Sequence, residues 1–425
     1  MTVKGIRSVT AGVASAMLVG AAAQVQAAGF ALYETSAKGN AMGGAVVGRT
    51  DDASAVQANP ANMTDKRDFQ SMVGLTAIGP SGNIDTPAGS FKLSDQWFTP
   101  PHAYATWNVC DDLWLGAGLY SEFGMGTRYA GNWAGRYNSL ETSLETLTVS
   151  PTIAYKVFDK LSVGAGFRAM YVDFANSRLQ RLTEPTLIPI FGETLGRTAV
   201  KGTGWGFGWL AGVKYEVTDD LDIGAVYRSR VRVNVTGEGW LDSYLPILPS
   251  QAASADAVVT LPSSATIGAN YYLLERALNL GAAVTWTEWS TYDALNITFN
   301  RPLVASNPAS DQSNNEKDWR DAWRFGTGAC YSLTENISLM AGYVYDRCPI
   351  SKTHTDFMMP AGDRHIFGIG AGYALKNWFV NVSYNYLIMA ENTRMVQNGS
   401  DTDWLRAKFT GMDAHIFGLS TGLTF

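Results

Sequence analysis

The side chains in this sequence with the most chemistry to offer are three arginines, Arg168, Arg228 and Arg324. Each stands at a position that strand alternation turns inward. A guanidinium presents paired N–H donors that match a carboxylate. An inward row of them can read the head of an anionic ligand, or it can pair with Asp222, Glu216 or the acids Asp51 and Asp52. Structural pairing is the weightier of these two readings. Other candidate chemistry falls away on spacing. Gly418-Leu419-Ser420-Thr421-Gly422 spells G-x-S-x-G, but a nucleophile elbow needs a strand-to-helix turn, and this one lies inside the last strand. His102, His354, His365 and His415 show no metal-ligand spacing. Cys110, Cys330 and Cys348 fit no zinc or redox motif, and their odd number leaves at least one thiol free. No catalytic residue, metal or cofactor is therefore expected, and the chain does not read as an enzyme.

The elements that hold these residues repeat. Six times an alternating strand, a tight polar turn and a second alternating strand follow one another. The turns lie at Cys110-Asp111-Asp112, Phe158-Asp159-Lys160, Thr218-Asp219-Asp220, Leu274-Glu275-Arg276, Thr334-Glu335-Asn336 and Lys376-Asn377. After the second turn Leu161, Val163, Ala165, Phe167, Ala169 and Tyr171 share one face, while Ser162, Gly164, Gly166 and Arg168 share the other. Alternation of this length puts every second side chain in one solvent and the rest in another. With apolar faces ending in aromatics, it predicts an all-β fold, a transmembrane antiparallel β-barrel. Six hairpins, a strand near Phe69–Gly79 and a last one at His415–Phe425 predict about fourteen strands. Short turns occupy one rim. Long connections, among them 173–204 and 233–258, occupy the other.

Composition agrees. The 425 residues include 43 Gly, 13 Trp, 19 Tyr and 18 Phe, and mean hydropathy is only −0.05, as alternation requires of a barrel. Net charge is −6 with no basic stripe, which argues against nucleic acid. Residues 1–27 read as a secretory signal peptide: Lys4 and Arg7, then an apolar run from Val9, then Val25-Gln26-Ala27 as the cleavage pattern. The expected location is the bacterial outer membrane, with outer-membrane lipid around the wall. The terminal Phe425 is the expected handle for the barrel-assembly machinery, and a monomer is expected.

Residues 28–68 do not alternate. They are rich in small residues, with Gly39, Gly43, Gly44 and Gly48. A lumen of about fourteen strands is too wide for its own side chains to fill, so this segment is expected to be a plug, with residues 69–425 as barrel. Glycines on the inward phase, such as Gly116, Gly164, Gly326, Gly328 and Gly368, would let it approach the wall. Two external segments are apolar: one holds Leu187, Ile190 and Phe191, the other Leu245, Ile247 and Leu248. Exposed clusters of this kind mark binding surfaces. The alternative is that they pack on each other as a lid.

Ala28-Gly29-Phe30, Asp51-Asp52-Ala53 and Asn59-Pro60-Ala61 resemble the N-terminal hatch of the FadL family of outer-membrane transporters. Glu122-Phe123, Tyr129-Ala130-Gly131, the run from Trp286 to Tyr292, Asp321-Ala322-Trp323-Arg324, Tyr345-Asp346 and Asp363-Arg364 continue the resemblance in order. It implies passive uptake of long-chain fatty acids or, as the alternative within the family, hydrocarbons. Ligand would be captured by the external loops and bound beside Phe30. It would leave sideways through a gap at a kinked third strand, next to Asn59, Pro60 and Ala61, with Gly124 at the kink. Rival readings are an unrelated outer-membrane enzyme and a general porin. A general porin has no need of a small plug or apolar external loops.

Overall fold

A computed structural model describes residues 29–65, 68–182, 184–304, 308–400 and 402–425. The expected signal peptide lies outside the described residues. No helix among them is long and apolar enough to cross a membrane. Strands do the crossing, for the reason alternation gave. Along one strand Trp205, Phe207 and Trp209 are half-exposed on the outer face, while Arg168, Met170 and Val172 of its neighbour are buried on the inner one.

The described residues form one sheet of 21 strands, fourteen of which close a ring. In chain order the first seven are β1 Phe69–Thr86, β2 Pro101–Cys110, β3 Leu113–Tyr120, β4 Glu141–Phe158, β5 Leu161–Arg181, β6 Thr194–Thr218 and β7 Leu221–Arg228. The other seven are β8 Ser264–Leu273, β9 Leu278–Thr287, β10 Ala322–Ser332, β11 Ile337–Asp346, β12 Arg364–Leu375, β13 Trp378–Met389 and β14 Trp404–Thr424. Each pairs antiparallel with the next, and β14 returns to β1 with Thr424 opposite Gln70. Closure removes the open edges that hydrocarbon does not tolerate.

The wall rises higher than sequence reading expected. β6 has 25 residues, where about 9–11 span a bilayer. The stretch expected as a loop at 233–258 is largely a paired arm, Val231–Ser243 against Gln251–Leu261. Its alternating Val231, Val233 and Val235 are buried, so the signal for strand was present.

Residues 29–65 fold within the lumen. Ser36 caps α1 (Ala37–Ala41) by accepting from Gly39 N at 3.0 Å. α2 (Ala55–Ala58) and a 3-10 turn (Pro60–Asp65) follow. The wall glycines explain the fit. A methyl on Gly164 would meet Pro60 and Ala61 at 2.6–2.8 Å, and on Gly326, Gly328 or Gly368 it would meet the backbone of residues 40–43. Charge ties the hatch to the wall near the turn-bearing rim. Lys214 of β6 contacts Asp65, and Arg49 lies 3.1 Å from Asp222 of β7.

Candidate binding chamber and wall break

The third strand breaks where the start of the hatch meets it. Tyr120 of β3 pairs with Thr148 of β4, and the strand resumes at Gly124 opposite Glu145. Three residues, 121–123, thus face two, 146 and 147, which is a bulge. The Thr146 hydroxyl covers the orphaned groups: it accepts from Phe123 N at 3.0 Å and donates to Phe123 O at 2.7 Å. On the other flank β2 starts at Pro101, after Pro100, and proline has no N–H to give a ladder. Residues 98–100 follow β1 instead, through Phe98 and Ile78. Between the His102–Tyr120 pair and the Ser94–Arg128 bond, no backbone hydrogen bond joins these two strands among the described residues.

The hatch covers this opening from inside. Ala31 pairs with Phe123, Leu32 N donates to Glu122 O at 2.7 Å and Gly124 N donates to Phe30 O at 2.8 Å. Gly29 has φ +64°, and a side chain there would collide with the Trp289 indole.

Phe30 points into an aromatic cage. Its ring lies 4.8 Å from Trp289, 5.1 Å from Tyr292, 5.6 Å from Trp319 and 6.0 Å from Phe123. Trp289 and Tyr292 get there because the chain above β9 leaves the ladder for a short 3-10 turn, Trp289–Thr291. One apolar cluster extends from this cage through Met170, Val172, Leu295, Ile297, Phe299 and Met358.

Above the cage lies a second pocket of about 100 Å³. Leu295, Ile297 and Phe299 form an apolar side; Asn138, Asn176, Gln180 and Asn315 form a polar one. Arg178 projects into it, and its guanidinium has no hydrogen-bond or ion-pair partner among the described residues. No carboxylate among the described residues lines this pocket.

The three arginines singled out from sequence lie below the cage. Arg168 makes two bonds to Glu122, at 2.9 and 2.7 Å, and also donates to Ser229 O. Arg228 donates to the hatch carbonyls of Gln57 and Ala58. Arg324 pairs with Asp346 at 3.4 Å and stacks 4.2 Å from the Tyr33 ring centre. Burial, together with the Asp346 charge, raises the Tyr33 phenol. Burial also pushes Asp65 up to about 6, against the pull of Lys214 and Arg49.

Asn59 donates to Val47 O at 3.0 Å and to Val213 O of β6 at 3.1 Å. Asn59, Pro60 and Ala61 therefore sit against β5 and β6, and it is Met63 and Val56 that reach Gly116 of β3. The two apolar loops meet each other: Leu245 is buried with Leu182, Leu195 and Leu241, and Leu187, Phe191 and Leu248 pack against them. Ile190 and Ile247 remain 70% and 63% exposed. Sequence reading did not single out Arg178 or the Trp289–Tyr292–Trp319 cage. The cage residues stand in tryptophan-rich segments that break the alternation, which was the available signal. Arg178 carried no signal, because it falls in the stretch 173–204 expected as a connection, which the structure makes part of β5.

A family model described as "Outer membrane protein transport protein (OMPP1/FadL/TodX)" matches residues 18–425. The long-chain fatty acid transport protein of Salmonella typhi is 29% identical over 86% of this chain and 88% of its own length. That of Escherichia coli K12 is 26% identical over 86% and 88%. A Pseudomonas aeruginosa FadL homologue superposes with a TM-score of 0.80 at 24% identity, over 94% of this chain and all of that one. The Pseudomonas putida toluene transporter TodX does so at 0.72 and 19%, over 93% and 99%. This closed barrel, with a hatch whose first residues cover a break in the third strand, belongs to the OMPP1/FadL/TodX family of outer-membrane transport proteins.

Proposed function

We propose that this chain is a passive channel for long-chain fatty acids. The observation that carries the proposal is the continuity of one apolar cluster from the Arg178 pocket to the Phe30 cage and on to the wall break. An unpaired cation beside an apolar wall suits a molecule with an anionic head and an alkyl tail. Ile190 and Ile247 offer such a tail an apolar landing place outside. The head then settles at Arg178 and the tail runs toward Phe30. Withdrawal of Phe30–Leu32 from residues 122–124 uncovers the break beside Gly124, and the ligand passes into the bilayer without meeting water. Asn59, Pro60 and Ala61 hold the hatch to β5 and β6 while its first residues move. No energy source is needed for an apolar molecule moving toward lipid. The related long-chain fatty acid transport proteins support this reading.

The all-aromatic lining around Phe30 favours a second reading, a neutral monoaromatic hydrocarbon, as the name of the toluene transporter suggests for that protein. Uptake of radiolabelled oleate and toluene, side by side, by cells lacking other such transporters separates the two. Oleate uptake that depends on the protein supports the proposal; toluene uptake alone overturns it.

A further inference from the structure

Beneath the cage, between the hatch and β8–β10, lies a separate space of about 90 Å³. Arg168, Arg228, Arg324 and Glu122 all line it, so three cations and one anion face one enclosure. Arg324 pairs with Asp346, behind it, a carboxylate that Arg364 also shares. Arg168 and Arg228 share the single carboxylate of Glu122, which is hydrogen-bonded to Arg168 and 3.9 Å from Arg228 Nε. One positive charge is left over. The Nε atoms of both Arg168 and Arg228 are buried without a hydrogen-bond partner among the described residues. The opposite wall offers hydroxyls, those of Thr285 and Thr287 among them. A buried cation with idle donors is costly unless a counter-charge joins it. At roughly 10–15 Å³ per water centre, the space also has room for a small polar group.

We propose that this space is an anion subsite, held by Arg228 and Arg168, that takes a single carboxylate or halide. For a fatty acid it is a second resting place for the head after the Arg178 pocket; that assignment rests on the function proposed above, whereas the site itself does not. Glu122 is the built-in competitor: both of its carboxylate oxygens accept from Arg168 Nη1, a donor that an incoming carboxylate would use. The two side chains must therefore act with opposite sign. Loss of Arg228 weakens anion binding, and loss of the Glu122 charge strengthens it.

The test uses crystals of the full mature protein soaked in sodium bromide, and titration of the detergent-solubilised protein with laurate and with dodecanol. Expected is an anomalous bromide peak beside Arg228 Nε that disappears in Arg228→Gln. Laurate affinity should fall about tenfold in Arg228→Gln and rise several-fold in Glu122→Gln, with dodecanol unmoved in both. A misfolded variant cannot mimic that pattern, since a folding defect moves both ligands and does not tighten either. The proposal is overturned by the absence of bromide from this space in the unmodified protein, or by laurate affinities that change in the same direction in both variants. Bromide bound there in a protein that takes up no fatty acid would uphold the site and sink the transport reading instead.

Discussion

Gly124 N donates to Phe30 O at 2.8 Å, so the residue that fills the aromatic cage is also fastened to the strand segment above the wall break. On the proposed route, binding and exit are thereby joined in one backbone bond. A ligand that displaces the Phe30 ring pulls on the cover of its own way out.

Phe30→Ala should empty the centre of the cage while leaving the barrel, closed by its own ladder, intact. Removing a fully buried Phe costs about 3–5 kcal/mol of local packing. The cover over residues 122–124 should loosen accordingly. Hydrogen exchange at the Leu32 and Gly124 amides checks this: faster exchange there, with the β5–β6 amides unchanged, is the expected result.

Arg178→Met keeps length and apolar contact but removes the head-group donor. Laurate affinity should fall roughly tenfold to hundredfold, with dodecanol affinity unchanged. Equal losses for both would mean that Arg178 supports the pocket's shape and not its charge preference.

In the external loops the two kinds of leucine and isoleucine should separate. Ile190→Ser with Ile247→Ser removes exposed surface, so uptake at low fatty-acid concentration should fall at an unchanged unfolding temperature. Leu245→Ser strikes the buried contact between the loops and should destabilise that arm by about 2–5 kcal/mol, the range for a buried Leu truncated to Ala. Limited proteolysis of residues 183–195 reports it.

Much of this was legible in the residues, because a barrel is specified by alternation and turns. The six turns at one rim stand where they were read, and fourteen strands close as counted. The inward glycines Gly164, Gly326, Gly328 and Gly368 do meet the hatch, since backbone contact with a plug excludes side chains there. Other features carried only a partial signal, for a physical reason. The extra height of the wall shows in alternating residues such as Val231, Val233 and Val235, but alternation beyond the about 9–11 residues that span a bilayer does not say whether the run continues the wall. Broken alternation marks where Trp289, Tyr292 and Trp319 leave the ladder, but the meeting of their rings around Phe30 is a tertiary event that alternation does not encode. The pairing of Arg168 with Glu122 needed the bulge at residues 121–123 to turn that carboxylate inward.

The hatch latch should respond to pH through Asp65. Burial holds its folded value at about 6, above the ~3.9 of a free aspartate. Between these values the folded chain keeps a proton that the unfolded chain gives up. This group's stabilisation is thus complete below about pH 4 and lost as pH rises through 6. Asp65→Asn lacks that dependence. The unfolding temperature of the unmodified protein, relative to this variant, should climb as pH falls from about 7.5 to 5. A flat difference would mean that Lys214 and Arg49 outweigh burial.

On the proposed route, ligand leaves through the break covered by residues 30–32. Ala31 and Phe123 face each other as a non-hydrogen-bonded antiparallel pair. Such pairs have Cα atoms about 4.5 Å apart, within disulfide range. The most direct measurement is oleate uptake by cells carrying Ala31→Cys with Phe123→Cys, the three native cysteines replaced by serine, before and after reduction. The account predicts little uptake when the disulfide is closed and recovery when it is reduced. Equal uptake in both states would contradict it and direct the ligand along another path.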